Sequence, residues 1–222
     1  MIYYHDISTR WTEMGTSEEL LKSHIAVAKK HGYRFVASVA QLNSEKTILL
    51  CFDDGFRGIW DHRGYFKAEG ICPTVFIAVD LVGRPGYLRW SEINELQEQG
   101  FRFQSHTWTH RPLTEVPDAE LSHETLDSKR VIEEKTGQKV DLFCFPCGFF
   151  SSKVLESARK AGYGTLVTSI PGRLSGLPFG GGDLLPRCLV QNATAGEFLS
   201  VLRGGLNLLT ERYMKQHWRS DK

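Results

Sequence analysis

Pairs of carboxylates and imidazoles follow two apolar runs of the chain. Asp53 and Asp54 come directly after "TILLCF", and His106 and His110 come after "FRFQS". One carboxylate with two histidines is a common ligand set for a catalytic metal, because it leaves a position for water. On a helical turn, His-x3-His would place both rings on one face. The spacing predicts a hydrolytic metal centre, whereas an isolated Asp-Asp-Gly is more often a solvated helix cap.

A third run, "VDLFCFPCGFF", ends in a Pro-x-Gly turn. This turn would expose the backbone N–H of Cys147 at the strand end, where it could act as an oxyanion donor. The alternative is that Cys144 and Cys147 form a redox pair or half of a zinc site. That alternative is less favoured, because Cys144 lies inside the strand run and no second Cys-x-x-Cys pair exists.

Strand-like and helix-like segments alternate, which predicts an α/β fold of parallel strands covered by helices. In such folds the carboxyl ends of the strands carry the active site. Seven runs read as strands: "IYYHDI", "TILLCF", "PTVFIAV", "FRFQS", "VDLFCF", "GTLVTS" and "LLPRCLV". Helices are expected from a capping box at Thr16 to Gly32, from Ser91 to Gly100, from Asp118 to Gly137, from Ser151 or Ser152 to Gly162, and from Thr194 onward.

The totals indicate one domain over residues 1–222. Lys and Arg number 27 against 26 Asp and Glu, which argues against a nucleic-acid partner. No apolar run has the length of a membrane span, and we see no secretory signal. Five cysteines without such a signal favour a cytoplasmic protein with reduced thiols. The glycine-rich stretch 175–186 reads as a surface loop. The amphipathic last helix is expected to pack on the sheet, with a membrane-surface role as the alternative.

The motifs "FDDG", "SHTWTH" and "FCFPCG", in this order, resemble those of the polysaccharide deacetylases, the NodB-homology family or carbohydrate esterase family 4. The framework from "LRWSEINELQEQGF" to "ARKAGYGTLVTSIPG" is also similar, so the resemblance covers most of the chain. It implies a distorted (β/α)7 barrel and metal-dependent removal of an N-acetyl group.

The resemblance also implies roles for the motif residues. Asp53 would be the general base, and Asp54, His106 and His110 would bind a divalent metal. That metal is expected to be zinc, with cobalt, nickel or manganese as alternatives. The backbone N–H of Cys147 would help to hold the oxyanion.

The sequence departs from the family pattern at two places. The third motif usually begins with an arginine that orients the base, and here that position is Cys144. A C-terminal Leu-x-His motif usually supplies the general acid, but His217 lacks the leucine. A branch similar to the poly-N-acetylglucosamine deacetylases, thought to be circularly permuted, opens with a "YH" pair instead. We therefore expect His5 to be the acid rather than a core residue. Arg187 is expected to replace the missing cation, with a surface salt bridge as the alternative.

The expected substrate is an N-acylated amino sugar, in a polysaccharide, an oligosaccharide or a precursor. Trp108, Trp90 and Tyr87 are candidates for stacking on sugar rings, or are packing residues. The alternatives are a deformylase or amidohydrolase acting on a lipid-linked amino sugar or a non-sugar amide, and an inactive carbohydrate-binding protein. The complete set of two aspartates and two histidines argues against an inactive site.

Overall fold

Short buried strands alternate with helices in the computed structural model, which describes residues 1–8, 12–42, 46–172 and 182–221. The strands are β1 Ile2–Tyr4, β2 Asp6–Ile7, β3 Gly15–Thr16, β4 Arg34–Val36, β5 Thr47–Phe52, β6 Thr74–Ile77, β7 Arg102–Ser105, β8 Leu142–Cys144, β9 Thr165–Val167, β10 Leu184–Leu185 and β11 Cys188–Leu189. The helices are α1 Glu18–Lys30, α2 Gly58–Asp61, α3 Arg63–Glu69, α4 Trp90–Glu98, α5 Ser128–Thr136, α6 Ser152–Lys160, α7 Ala195–Leu202 and α8 Thr210–His217.

The main sheet is parallel throughout and curls on itself. Its strand order is β10–β9–β8–β7–β6–β5–β1–β11, with β4 added beside the start of β5. β10 pairs with β9 and β11 pairs with β1, and only Pro186 and Arg187 separate these two short strands. Together they act as a seventh strand that bridges the first and the sixth, so the predicted α/β class and distorted (β/α)7 barrel are confirmed.

The two faces of this sheet bury different residues. Tyr3, Cys51 and Cys144 belong to a small apolar cluster inside the curl. The alternate residues of the same strands join the larger core beneath the helices. Because side chains alternate along a strand, His5 and Asp53, two positions beyond Tyr3 and Cys51, continue the inner face at its carboxyl end.

Helix starts follow the predicted capping residues at two places and need correction at two others. Ser91, expected to open α4, lies inside that helix, whose N-cap is Arg89. Ser151 and Thr194 accept hydrogen bonds from the first-turn N–H groups of α6 and α7, as expected. The capping box expected at Thr16 is wrong by one residue. Ser17 caps α1 by accepting from the N–H of Leu20, while Thr16 lies in β3.

The long helix expected from Asp118 is not continuous. A 3-10 turn at Asp118–Glu120 leads into a π-helical turn at His123–Asp127, and α5 then ends at Gly137, as predicted. Gly137 has a φ of 66°, a left-handed value that suits glycine.

The expected last helix is divided into α7 and α8. Most of the glycine-rich stretch, residues 175–181, lies outside the described residues. In the part of the chain that the structure describes, no helix is both long and apolar enough to cross a membrane.

Candidate active site

The two adjacent carboxylates lie where β5 meets a tight turn. The N–H of Asp53 donates to the carbonyl of Tyr4 at 3.0 Å, so Asp53 still belongs to the sheet. Asp54 and Gly55 then adopt left-handed φ values of 67° and 76°. A Cβ at Gly55 would lie 2.9 Å from a methyl group of Ile77, so glycine is required there. The turn separates the two carboxylates, which can then serve different purposes.

The two histidines of the second motif lie on a loop after β7 rather than on the expected helical turn. Thr107 and His110 have φ values of 73° and 64°, which ordinary helices exclude. The prediction that both rings face one point is nevertheless met. Nε2 of His110 lies 2.9 Å from Oδ1 of Asp54, and Nε2 of His106 lies 3.4 Å from the same oxygen.

These three atoms converge as metal ligands do. Oδ1 of Asp54 is buried and has no hydrogen-bond partner among the described residues, despite its closeness to both rings. Nδ1 of His106 lies 2.9 Å from the carbonyl of Cys144, which can only accept, so this nitrogen carries the proton and Nε2 keeps a lone pair. The donor set therefore fits a divalent ion such as zinc.

Electrostatics favour a charged carboxylate at Asp54. Burial opposes ionisation of Asp54, but its contacts with His106 and His110 hold the pKa of its carboxyl well below its usual range. Burial lowers the pKa of His110, but Asp54 outweighs it and raises the pKa above its ordinary value. The Asp54 carboxylate thus attracts positive charge, and a metal ion would take the place of a proton on His110, because a ligand imidazole must be neutral.

A residue of the π-helical turn that the sequence did not single out holds the second motif. The Glu124 carboxylate, fully buried on the π-helical turn, accepts from the N–H groups of Trp108 and Thr109 at 3.0 and 2.9 Å. It also accepts from the Thr109 hydroxyl, and Arg111 lies 3.4 Å away. Since Trp108 and Thr109 lie between the two histidines, Glu124 fixes the shape of the loop.

Arg187 forms a buried ion pair with Asp53. Its two terminal nitrogens donate to the two oxygens of Asp53 at 2.6 Å each, and both residues are at most 2% exposed. The guanidinium lies 3.9 Å above the ring of Tyr3 and also donates from Nε to the carbonyl of Thr168. Because the Arg187–Asp53 pair is buried, the alternative of a surface salt bridge is wrong. Arg187 therefore provides a cation beside Asp53. Its Nη2 also lies 2.7 Å from Sγ of Cys144.

Burial and close contacts determine the charge states of Arg187 and Cys144. Burial disfavours the charged guanidinium of Arg187, but Asp53 outweighs it and holds the pKa of Arg187 well above its usual value. Burial raises the pKa of the Cys144 thiol well above its usual value, so that thiol is neutral. Cys144 and Cys147 are both free thiols, Cys144 buried and Cys147 exposed.

Cys147 lies in the turn after β8. It has a left-handed φ of 56° between Pro146 and Gly148. Burial of part of its side chain, and then the charge of Asp54, raise the pKa of its thiol. The side chain is therefore a neutral thiol within electrostatic range of Asp54, which leaves the backbone N–H as its candidate contribution.

His5 is half-buried at the end of β1. Its Nδ1 lies 2.7 Å from Oε1 of Gln191, and its ring packs edge-on against Tyr3. In the sheet, β1 lies directly beside β5, and the pair Tyr4–Phe52 puts His5 level with Asp53. The ring is thus on the same rim as the predicted base.

Two other histidines are engaged elsewhere. Nδ1 of His62 bonds to the carbonyl of Gly58, and its Nε2 lies 3.7 Å from Glu18. His217 is buried, its Nδ1 forms a hydrogen bond with the carbonyl of Tyr213, and its ring stacks on the Tyr213 ring. Neither occupies a strand end.

The predicted aromatic candidates differ in their surroundings. Tyr87 stacks on Phe56 at 4.7 Å between ring centroids, and burial and the charge of Asp54 raise its pKa. Trp108 instead donates to Asp80 and packs on His123, and Trp90 packs against the core as α4 begins. Tyr87 is therefore the candidate best placed near the acidic pair.

Comparisons with known proteins give the family. The model of the polysaccharide deacetylase domain matches residues 40–166, more than half of the chain. A peptidoglycan-N-acetylglucosamine deacetylase of Bacillus cereus is 27% identical over 73% of this chain and 75% of its own. The Bacillus subtilis protein YxkH is 25% identical over 79% of this chain, which spans 66% of YxkH, just under two thirds.

Solved structures share the fold. The Streptococcus pyogenes deacetylase PplD, in complex with acetate, superposes with a TM-score of 0.79 at 21% identity, over 90% of this chain and 96% of PplD. IcaB from Ammonifex degensii superposes with a TM-score of 0.77 at 20% identity, over 91% and 95%.

The fold and the motifs are thus of the NodB-homology class, and the Bacillus cereus relative and PplD are named as deacetylases. The chain belongs to the polysaccharide deacetylase family, as the motifs predict.

Proposed function

We propose that this chain is a metal-dependent N-deacetylase acting on N-acetylated amino sugars, with residues 1–222 as one catalytic domain. The observation that carries the proposal is the convergence of Asp54, His106 and His110 beside a buried carboxylate, Asp53, that has its own cation. The activity for which the Bacillus cereus relative is named supports the substrate class.

The metal would be held by Asp54, His106 and His110, with zinc expected and cobalt, nickel or manganese as alternatives. The chemistry that a divalent ion supplies when bound is Lewis acidity, which lowers the pKa of water and polarises an amide carbonyl. An amide carbonyl is a poor electrophile, so that polarisation is needed.

Asp53 would accept the proton from the attacking water. Arg187 holds both of its oxygens, which fixes the orientation of the carboxylate. Each carboxylate oxygen has a second lone pair, so Asp53 can still accept a proton from the open side of the rim.

The remaining two steps fall to Cys147 and His5. The N–H of Cys147 would stabilise the negative oxygen of the tetrahedral intermediate. Protonated His5 would donate its proton to the sugar nitrogen, because an unprotonated amine is too basic to leave. The Tyr87–Phe56 pair would offer an apolar face to the sugar ring.

The test is release of acetate from N-acetylglucosamine oligomers, measured before and after removal of metal with a chelator. We expect turnover that disappears with the chelator and returns with zinc or cobalt. The matched control is Asp53→Asn, which should keep the metal but lose turnover. Formate released from N-formylated analogues in place of acetate would favour the deformylase alternative. Metal binding without hydrolysis of any amide would refute the proposal in favour of an inactive binding protein.

A further inference from the structure

The seventh strand supplies a side chain next to His5. The sheet pairs Tyr3 with Leu189, so His5 and Gln191 lie opposite each other two positions further on. β1 has β11 on one side and β5 on the other. His5 therefore stands between Gln191 and the strand that carries Asp53.

Hydrogen bonding fixes the orientation of the Gln191 amide. Its Nε2 donates to the backbone carbonyl of Glu13 at 2.7 Å, and a carbonyl can only accept. The other end of the amide, Oε1, must then face His5, where it lies 2.7 Å from Nδ1. Because an amide oxygen also only accepts, Nδ1 of His5 carries a proton and donates it to Gln191.

The amide is held at both ends, by Glu13 and by His5, and Gln191 is 6% exposed. The hydroxyl of Thr16 donates to the backbone carbonyl of Gln191 at 2.9 Å and anchors the main chain rather than the side chain. The His5 ring also rests edge-on against Tyr3, whose face is covered by Arg187. Neither the ring of His5 nor the amide of Gln191 can turn without breaking one of these contacts.

We propose that Gln191 is a positioning residue that locks His5 in the Nδ1–H tautomer. Nε2, on the ring edge directed away from Gln191, is then the nitrogen that gains and loses the catalytic proton. This inference rests on the proposed function, in which His5 is the general acid. Gln191 makes the acid step efficient without contacting the substrate.

The test is ¹⁵N NMR of the histidine rings in the zinc-loaded protein at about pH 8, where ordinary histidines are neutral. The His5 signals are assigned by their loss in His5→Asn. We expect wild-type His5 to show a protonated Nδ1 and an unprotonated Nε2. Gln191→Leu removes the acceptor and should shift the ring towards the Nε2–H form. Gln191→Glu keeps an acceptor and should retain Nδ1–H.

Activity provides the second readout. We expect kcat/KM of Gln191→Leu to fall about tenfold, the value of one hydrogen bond to a catalytic group, with Gln191→Glu closer to wild type. The matched control is Thr16→Val, which removes the bond to the Gln191 backbone but not to its side chain, and should keep the tautomer.

The two proposals fail in different ways. If wild-type His5 shows Nε2–H, or if Gln191→Leu retains Nδ1–H, the positioning role is wrong whatever the activity. If the wild type releases no acetate although His5 shows Nδ1–H, the proposed function fails while the tautomer assignment stands.

Discussion

Replacing Arg187 by Met should destabilise the protein strongly. The change removes the only cation bonded to Asp53 among the described residues and leaves a carboxylate that is 2% exposed. Breaking a buried ion pair by removing one partner costs about 3–5 kcal/mol. In a domain of this size that corresponds to a fall in melting temperature of roughly 6–20 °C.

The comparison variant is Asp53→Asn combined with Arg187→Met, which removes both charges of this pair. We expect this double variant to recover most of the lost free energy of unfolding, although it should remain inactive. A third variant exchanges the residues at 144 and 187, and so returns a guanidinium to the start of the third motif. It should be more stable than Arg187→Met alone.

The assay is urea denaturation followed by circular dichroism, with thermal melts as a check. A destabilisation below about 1 kcal/mol for Arg187→Met would mean that Asp53 is well solvated or neutral. In that case the assignment of Asp53 as a base held by Arg187 would be refuted.

Further predictions concern the metal site and its surroundings. Asp53→Asn should bind one equivalent of zinc yet show no turnover, and a loss of metal in this variant would make Asp53 a ligand rather than the base. His110→Ala should lower the zinc content measured after dialysis, and full retention would exclude it as a ligand. Glu124→Gln should weaken zinc affinity about 10- to 100-fold by loosening the loop, whereas Glu120→Gln, at an exposed partner of Arg111, should not. Because the pKa of Cys147 is raised, its alkylation rate should continue to increase at pH values where an ordinary thiol is already ionised, and a plateau near pH 8.5 would contradict this.

Much of the site could be predicted because polar residues at strand ends meet at one rim. Asp53, Asp54, His106 and His110 all follow buried strands, and parallel strands bring their carboxyl ends together. The role of Arg187 could be anticipated from the cysteine at position 144. Arg187 lies between β10 and β11, the two halves of the seventh strand, and this location places it on the inner face of the sheet.

The rest depends on tertiary contacts. A left-handed backbone at Thr107 and His110 has no glycine to signal it, so a helical turn was the simpler expectation. A glutamate within a predicted helix is usually exposed to solvent. The burial of Glu124 is explained only by its hydrogen bonds to the loop after β7. Gln191 contacts residues more than 170 positions away, which local patterns do not reveal.

The candidate site has two parts, which depend on contacts of different sequence separation. The proposed metal ligands lie within residues 54–110, whereas the contacts proposed to handle protons join partners 134 and 186 residues apart, Asp53 with Arg187 and His5 with Gln191. Contacts between distant residues require the larger loops to close, which slows their formation. A chain could therefore gain affinity for metal before it gains catalytic competence. Metal content would then report that the middle strands have formed, and only turnover would report that the last strand has joined the first.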